Sequence, residues 1–290
     1  MPAWADRARR TLAAFALPAA LVLLAAPGGA AAQETGVGDA LELVDPETLR
    51  VCADPNNMPF SNEAGEGFEN RLAELVAEKL GRERVRYAFF PQGIGFVRNT
   101  LGAYRCDVIM GYAQGDELVQ NTNPYYRSAY ALVTRPDHPL AEVTRLDDSR
   151  LKGATLGAVA RTPPATGLAR HGLTADARFY NLMVDTRLSN PVRDMIDDLA
   201  AGEIDAALAW GPMAGFYAAR RDPPLVVTPL VHEPDGPRMS YRITMGVRPS
   251  DQEWKRELNA LIRENQDEIE AVLLDYGVLL LDEQDRPIAP

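Results

Sequence analysis

Past residue 47 the apolar positions alternate between two spacings. Leu49–Ala53 is continuously apolar and short, which predicts a buried strand. Phe68, Leu72, Leu75, Val76 and Leu80 recur at helical spacing, and Gly81 supplies the stop, so a helix is predicted over Phe68–Leu80. Val85–Phe90 alternates as a second strand, and Gly95–Leu101 is a short helix candidate. Asp107–Met110 and Tyr130–Thr134 read as the third and fourth strands. This βαβαβ order predicts a parallel sheet covered by helices. The pattern then restarts with a strand in "LKGATLGAV", a helix end in "LARHGL" and a strand-like "ARFYNLMV". A helix capped by Asn190, with Pro191 first, runs into the strand "IDAALAW". "PLVVTPLV" and "YRITMGV" are two more strands, and Asp251–Tyr276 carries the stripe of one long helix or a helical pair. Two successive α/β units with a helical tail predict two lobes. The chain would cross between them near Thr134 and return near Met245, so that residues 48–134 and 246–290 form one lobe and 135–245 the other.

The first 47 residues do not fit this pattern. Arg7, Arg9 and Arg10 precede an apolar run, Thr11–Ala26, broken by Pro18, and Ala30-Ala31-Ala32 stands before Gln33. That is the layout of a secretory signal peptide over residues 1–32, followed by a flexible leader over 33–47. A retained anchor is the alternative, but the run is shorter than the roughly 20 residues a spanning helix needs. An exported chain reads as periplasmic, with no membrane span in its mature part. Export also changes the view of Cys52 and Cys106, the only cysteines: an oxidising compartment favours a disulfide between them, against two separate buried thiols. The 290 residues carry a formal charge of −11, which excludes nucleic acid as an electrostatic partner.

Catalytic motifs are missing: there is no G-x-S-x-G, P-loop, H-E-x-x-H or dinucleotide-binding glycine run. His138, His171 and His232 sit in polar or proline-rich surroundings and read as structural or solvated. No carboxylate spacing suggests a metal site. What recurs is a polar or aromatic cluster at each predicted strand end, where ligands bind in open α/β sheets. The first end carries Asn56, Asn57 and Phe60, within "CADPNNMPFSN". The second carries Phe96 and Arg98, and the third Tyr112. Tyr125 and Tyr126 approach the fourth, Arg161 and Thr162 stand where a helix could hold an anion, and Trp210 ends a later strand. Each has a plain alternative: the tyrosines as core aromatics, Trp210 as a cap on the sheet, Arg98 as a surface ion-pair member. Their convergence on strand ends points to an inter-lobe cleft.

The same stretches carry a resemblance. "LRVCADPNNMPFSN", "GFENRLAELVAEKLG", "NPYYRSAYALVTRPD" and "LAAGEIDAALAW" resemble the periplasmic solute-binding proteins that serve amino-acid ABC transporters. "FPQGIGFVRNTL", "RCDVIMG", "RTPPATGLARHGL" and "RMSYRITMGVR" narrow it to the quinoprotein dehydrogenase-associated members of methanol-oxidation gene clusters, the MoxJ/XoxJ type. The resemblance implies a type II periplasmic-binding-protein fold, with two lobes that are each a mostly parallel sheet flanked by helices. It implies an accessory role beside a PQQ-dependent methanol or alcohol dehydrogenase of the calcium or lanthanide type, with that enzyme's c-type cytochrome as a second partner. It implies no catalysis and no cofactor. Amino-acid receptors of this family carry a Thr-x-x-Arg after the third strand and an acidic residue after "DAA". Here "GYAQGDELVQNTNPYY" has no arginine and the acidic position is Trp210. A bound amino acid would lack partners for both its charges. Two readings follow: an accessory protein, or a receptor for a small ligand that is not an amino acid. An enzyme on a receptor fold is a third, without an acid–base pair to support it.

Overall fold

Hydrophobic segments of both spacings meet in one sheet. The computed structural model describes residues 43–231, 233 and 236–288; the signal-peptide reading, most of the leader and His232 lie outside them. The first strands are β1 (Thr48–Ala53), the two-residue β2 (Asn56–Asn57) and β3 (Ser61–Asn62) of a small hairpin, β4 (Arg84–Phe89) and β5 (Val108–Ala113). Helix α1 (Phe68–Lys79) follows β3 and the one-turn α2 (Phe96–Asn99) follows β4. Strand β6 (Gln120–Thr134) then leads to β7 (Leu156–Val159), α3 (Pro163–Arg170), β8 (Arg178–Tyr180), α4 (Pro191–Ala201), β9 (Ala206–Trp210) and α5 (Gly211–Ala219). The chain closes with β10 (Val226–Pro229), β11 (Ser240–Val247), α6 (Gln252–Glu264) and α7 (Gln266–Asp275).

The sheet order is β4-β1-β5-β11-β6-β9-β7-β8, with β10 also on β6. The outer pairs β1–β4, β1–β5, β7–β8 and β7–β9 are parallel, as βαβ succession requires; β11 and β6 run antiparallel to their neighbours. Strand β6 is much longer than Tyr130–Thr134. Its first part pairs with β11, and Tyr130–Thr134 pair with β9. It carries Pro124 at a register shift against β11, where a missing ladder donor is tolerated.

The core divides by sequence. Leu49, Phe68, Leu72 and Val76 pack with Met245, Trp254, Leu258, Ile269 and Leu273, so the C-terminal helices cover the β1–β5 side. Met195, Ile196, Leu199 and Phe216 form a second cluster, and Leu146, Leu156, Leu168 and Leu208 a third, around β7 and β9. Asp251–Tyr276 is a pair of helices broken at Asn265. The segment after Trp210, which the sequence pattern does not mark as an element, is the helix α5, apolar nearly all round and buried. Gly215 lets it pack close, since a Cβ there would lie 1.9 Å from the Gly277 carbonyl oxygen.

Cys52 and Cys106 form a disulfide, with Cα atoms 5.3 Å apart across 54 positions. Beside it, Asp107 is fully buried and accepts from Arg50 (2.7 Å) and Arg248 (2.7 Å), while Arg248 also pairs with Asp251 (2.7 Å). This network ties β1, the turn before β5 and the start of α6. Among the described residues no helix is long and apolar enough to cross a membrane.

Candidate functional site

The strand-end loop after β1 is bonded to the segment before α4 and to α5. Asp54, only 2 % exposed, accepts from the Asn56 amide (2.9 Å), the Gln92 amide (2.5 Å) and the Thr186 hydroxyl (2.9 Å). Asn56 donates to the Thr186 carbonyl (3.0 Å), and Asn57 donates to the Gln92 side chain (3.0 Å). The Met58 carbonyl accepts from Asn190 Nδ2 (3.3 Å) and from the Tyr217 hydroxyl (3.0 Å). Asn190 also caps α4 through Arg193 N (3.0 Å) and donates to Tyr217 (3.0 Å). Apart from the local Asn56 amide, the loop's partners Gln92, Thr186, Asn190 and Tyr217 come from segments far away in sequence, so the loop acts as a clamp.

A second feature opens on the face shared by β5, β11, β6 and β9. Trp210 ends β9 directly opposite Tyr130 on β6. Tyr130, Trp210 and Tyr241, with Ala113 and Ile243, line a groove of about 240 Å³. Burial pushes the Tyr130 hydroxyl up to about 12, so it stays neutral. Among the described residues no charged side chain lines this groove.

Next to Ile243 lies Glu69, in the first turn of α1. It is 8 % exposed, and its carboxyl forms no hydrogen bond among the described residues. Burial, then the nearby Asp54 charge, pushes its pKa up to about 8. Its Oε1 occupies the space over Gly111 on β5: a Cβ there would stand 2.2 Å from that oxygen and 4.0 Å from Ile243 Cγ2. Gly111 is two residues from Ala113 on the same strand face, so the carboxyl lies beyond the Ala113 end of the groove and is not part of its lining.

The other candidate residues are dispersed. Tyr125 (1 % exposed) and Tyr126 (8 %) are core residues inside β6, and Tyr125 donates to the Met110 carbonyl (2.6 Å). Phe96 is buried among Cys52, Ile109 and Val119, with Tyr112 half-buried against the same cluster. Phe60 is half-buried against Phe68, ring centroids 5.2 Å apart. Arg98 lies beside Gly95 and makes no ion pair among the described residues. Arg161 is exposed with a φ of 64°, and the Thr162 hydroxyl donates to the Val159 carbonyl (2.6 Å) rather than capping α3. The fold thus brings Asn56 and Asn57 into the clamp and Trp210 into the groove. Sequence reasoning missed Tyr130, Tyr241, Glu69 and Asp54. Only Asp54 had a local signal, an Asp-Pro-Asn turn whose carboxylate accepts from the amide two residues on. Among the described residues no group of three or more histidine, cysteine or carboxylate side chains is placed to hold a metal.

Comparison with known proteins bears on the fold and the family. The solved structure of the periplasmic binding protein XoxJ from Methylobacterium extorquens AM1 is 44 % identical, covers 81 % of this chain and 100 % of its own, and superposes with a TM-score of 0.69. The structure of MxaJ from Methlophaga aminisulfidivorans MPT is 28 % identical, covers 80 % and 100 % of the two chains, and gives a TM-score of 0.71. Protein MoxJ of Methylorubrum extorquens is 34 % identical over 94 % of this chain and 96 % of its own length. The α/β architecture is accordingly that of the periplasmic binding proteins. Residues 49–273 match the bacterial extracellular solute-binding proteins, family 3, and the chain is a member of that family, of the MoxJ/XoxJ type.

Proposed function

We propose that this chain is a periplasmic accessory protein of PQQ-dependent methanol or alcohol oxidation, which binds its dehydrogenase through the cleft face and assists that enzyme's maturation or activation. In this reading residues 1–32 direct export. Residues 48–134 with 246–290 form one lobe and 135–245 the other, and the protein is not itself an enzyme. The names of its relatives support the association with methanol oxidation. The observation that carries the reading is the groove beside Trp210: it is walled by rings and aliphatic carbons, with no guanidinium to fork onto a carboxylate. A zwitterionic amino acid closed in there would have an uncompensated carboxylate, at a cost of several kcal/mol. An aromatic-lined groove is instead the usual anchor point of a protein partner. Retention from periplasmic extract at low ionic strength tests this. Enrichment of a quinoprotein dehydrogenase is expected, and its absence would overturn the reading.

The groove's size also favours a second reading, a receptor for a small ligand that is not an amino acid. A thermal-shift screen with small acids, alcohols and PQQ tests it, since any ligand of the native state raises the melting temperature.

A further inference from the structure

The groove offers aromatic faces and no positive charge. Tyr130 and Trp210 have ring centroids 5.2 Å apart and planes inclined by 60°. Trp210 and Tyr241 stand 5.8 Å apart at 78°, and Tyr130 and Tyr241 6.5 Å apart at 75°. Three rings so steeply inclined cannot all stack on one flat ligand. They bracket a compact group, and the group a ring face attracts most strongly is a cation. We propose that the groove walled by Trp210, Tyr130 and Tyr241, with the unpartnered Glu69 carboxyl beyond its Ala113 end, is a binding site for an alkylammonium head group.

Three observations converge on this chemistry. A cation already sits on one of the rings: the Arg238 guanidinium lies 4.8 Å from the Tyr241 centroid. Arg238 does not line the groove, so the groove itself stays open to a second cation. Glu69, over nine-tenths buried and without a hydrogen bond, is a group whose charged form a bound ammonium would compensate. The chain's formal charge of −11 draws cations and repels anions. The head group has two sources. It is either a free small amine or the lysine of a docked protein, and the second rests on the function proposed above.

Calorimetric titration of the purified protein with choline tests the site, with 3,3-dimethylbutan-1-ol as the uncharged probe of the same shape. Choline is expected to bind roughly tenfold or more tightly than the alcohol, the difference a cation–π site makes when desolvated. Trp210→Leu should erase that preference and Trp210→Phe should keep part of it. Glu69→Gln should weaken choline and leave the alcohol unchanged, a readout that a purely structural role would not move. Equal binding of the two probes, binding of neither, or an unchanged preference in Trp210→Leu would overturn the proposal. Adding choline to the loaded pull-down separates the sources: release of the dehydrogenase assigns the cation to the partner, and retention assigns it to a free amine. The titration needs no dehydrogenase, so failure of the site and failure of the accessory reading are told apart.

Discussion

Replacing Glu69 by glutamine should change how stability depends on pH. An ordinary glutamate titrates near 4.5, whereas in the folded chain burial and Asp54 push Glu69 up to about 8. Between these values the native state holds a proton that the unfolded chain has released. Stability therefore falls as pH rises through that window, by about 1.4 kcal/mol per pH unit. The contribution is fully present below pH 4.5 and lost as pH passes about 8. From pH 5 to pH 8 the wild type should lose on the order of 4 kcal/mol relative to Glu69→Gln, which cannot ionise. All other titrating groups are shared and cancel in the difference. Urea unfolding of both proteins at unit pH intervals gives the two curves. They should coincide at low pH and separate as pH rises, the wild type falling below the variant, if glutamine costs nothing at low pH, and cross if it costs a little. Two parallel curves would refute the claim that Glu69 is held protonated by its surroundings.

Other changes follow from the same geometry. Cys52→Ser with Cys106→Ser removes a link across 54 positions and should lower the unfolding free energy by about 4 kcal/mol in denaturant titration. Gly111→Ala drives a Cβ to within 2.2 Å of Glu69 Oε1 and should destabilise by about 1–3 kcal/mol, with much of the loss recovered in a Glu69→Ala background, as a double-mutant cycle would show. Asn190→Ala loses a helix cap and bonds to both Met58 and Tyr217; a loss of about 2 kcal/mol is expected, with faster amide exchange around residues 56–60.

Where one element supplies its own signals, the sequence reading and the structure coincide. Asn190 and Pro191 mark the start of α4, and Gly81, at a φ of 64°, stops α1. Strand β6 shows the opposite case. "QNTNPYY" looks like a loop because it is polar and contains a proline, and only pairing with β11, supplied by residues more than a hundred positions later, makes it a strand. Helix α5 escaped notice because a helix buried on all sides has no periodic polar face. The site divides the same way. Trp210 was visible as the end of a strand, but Tyr130 and Tyr241 lie within strands, and they join it only through the register of β6 with β9 and β11. Glu69 looks like an ordinary surface residue of a helix's first turn, and its burial over Gly111 is a tertiary event.

The most direct test of the account is a comparison of two immobilised proteins, the wild type and Trp210→Arg, exposed to the same periplasmic extract at low ionic strength. An arginine in the groove leaves the clamp untouched and puts a positive charge where the partner's contact is placed. The account predicts that the wild type enriches a PQQ-dependent dehydrogenase and that Trp210→Arg does not. Enrichment of no quinoprotein, or equal enrichment by both proteins, would contradict it.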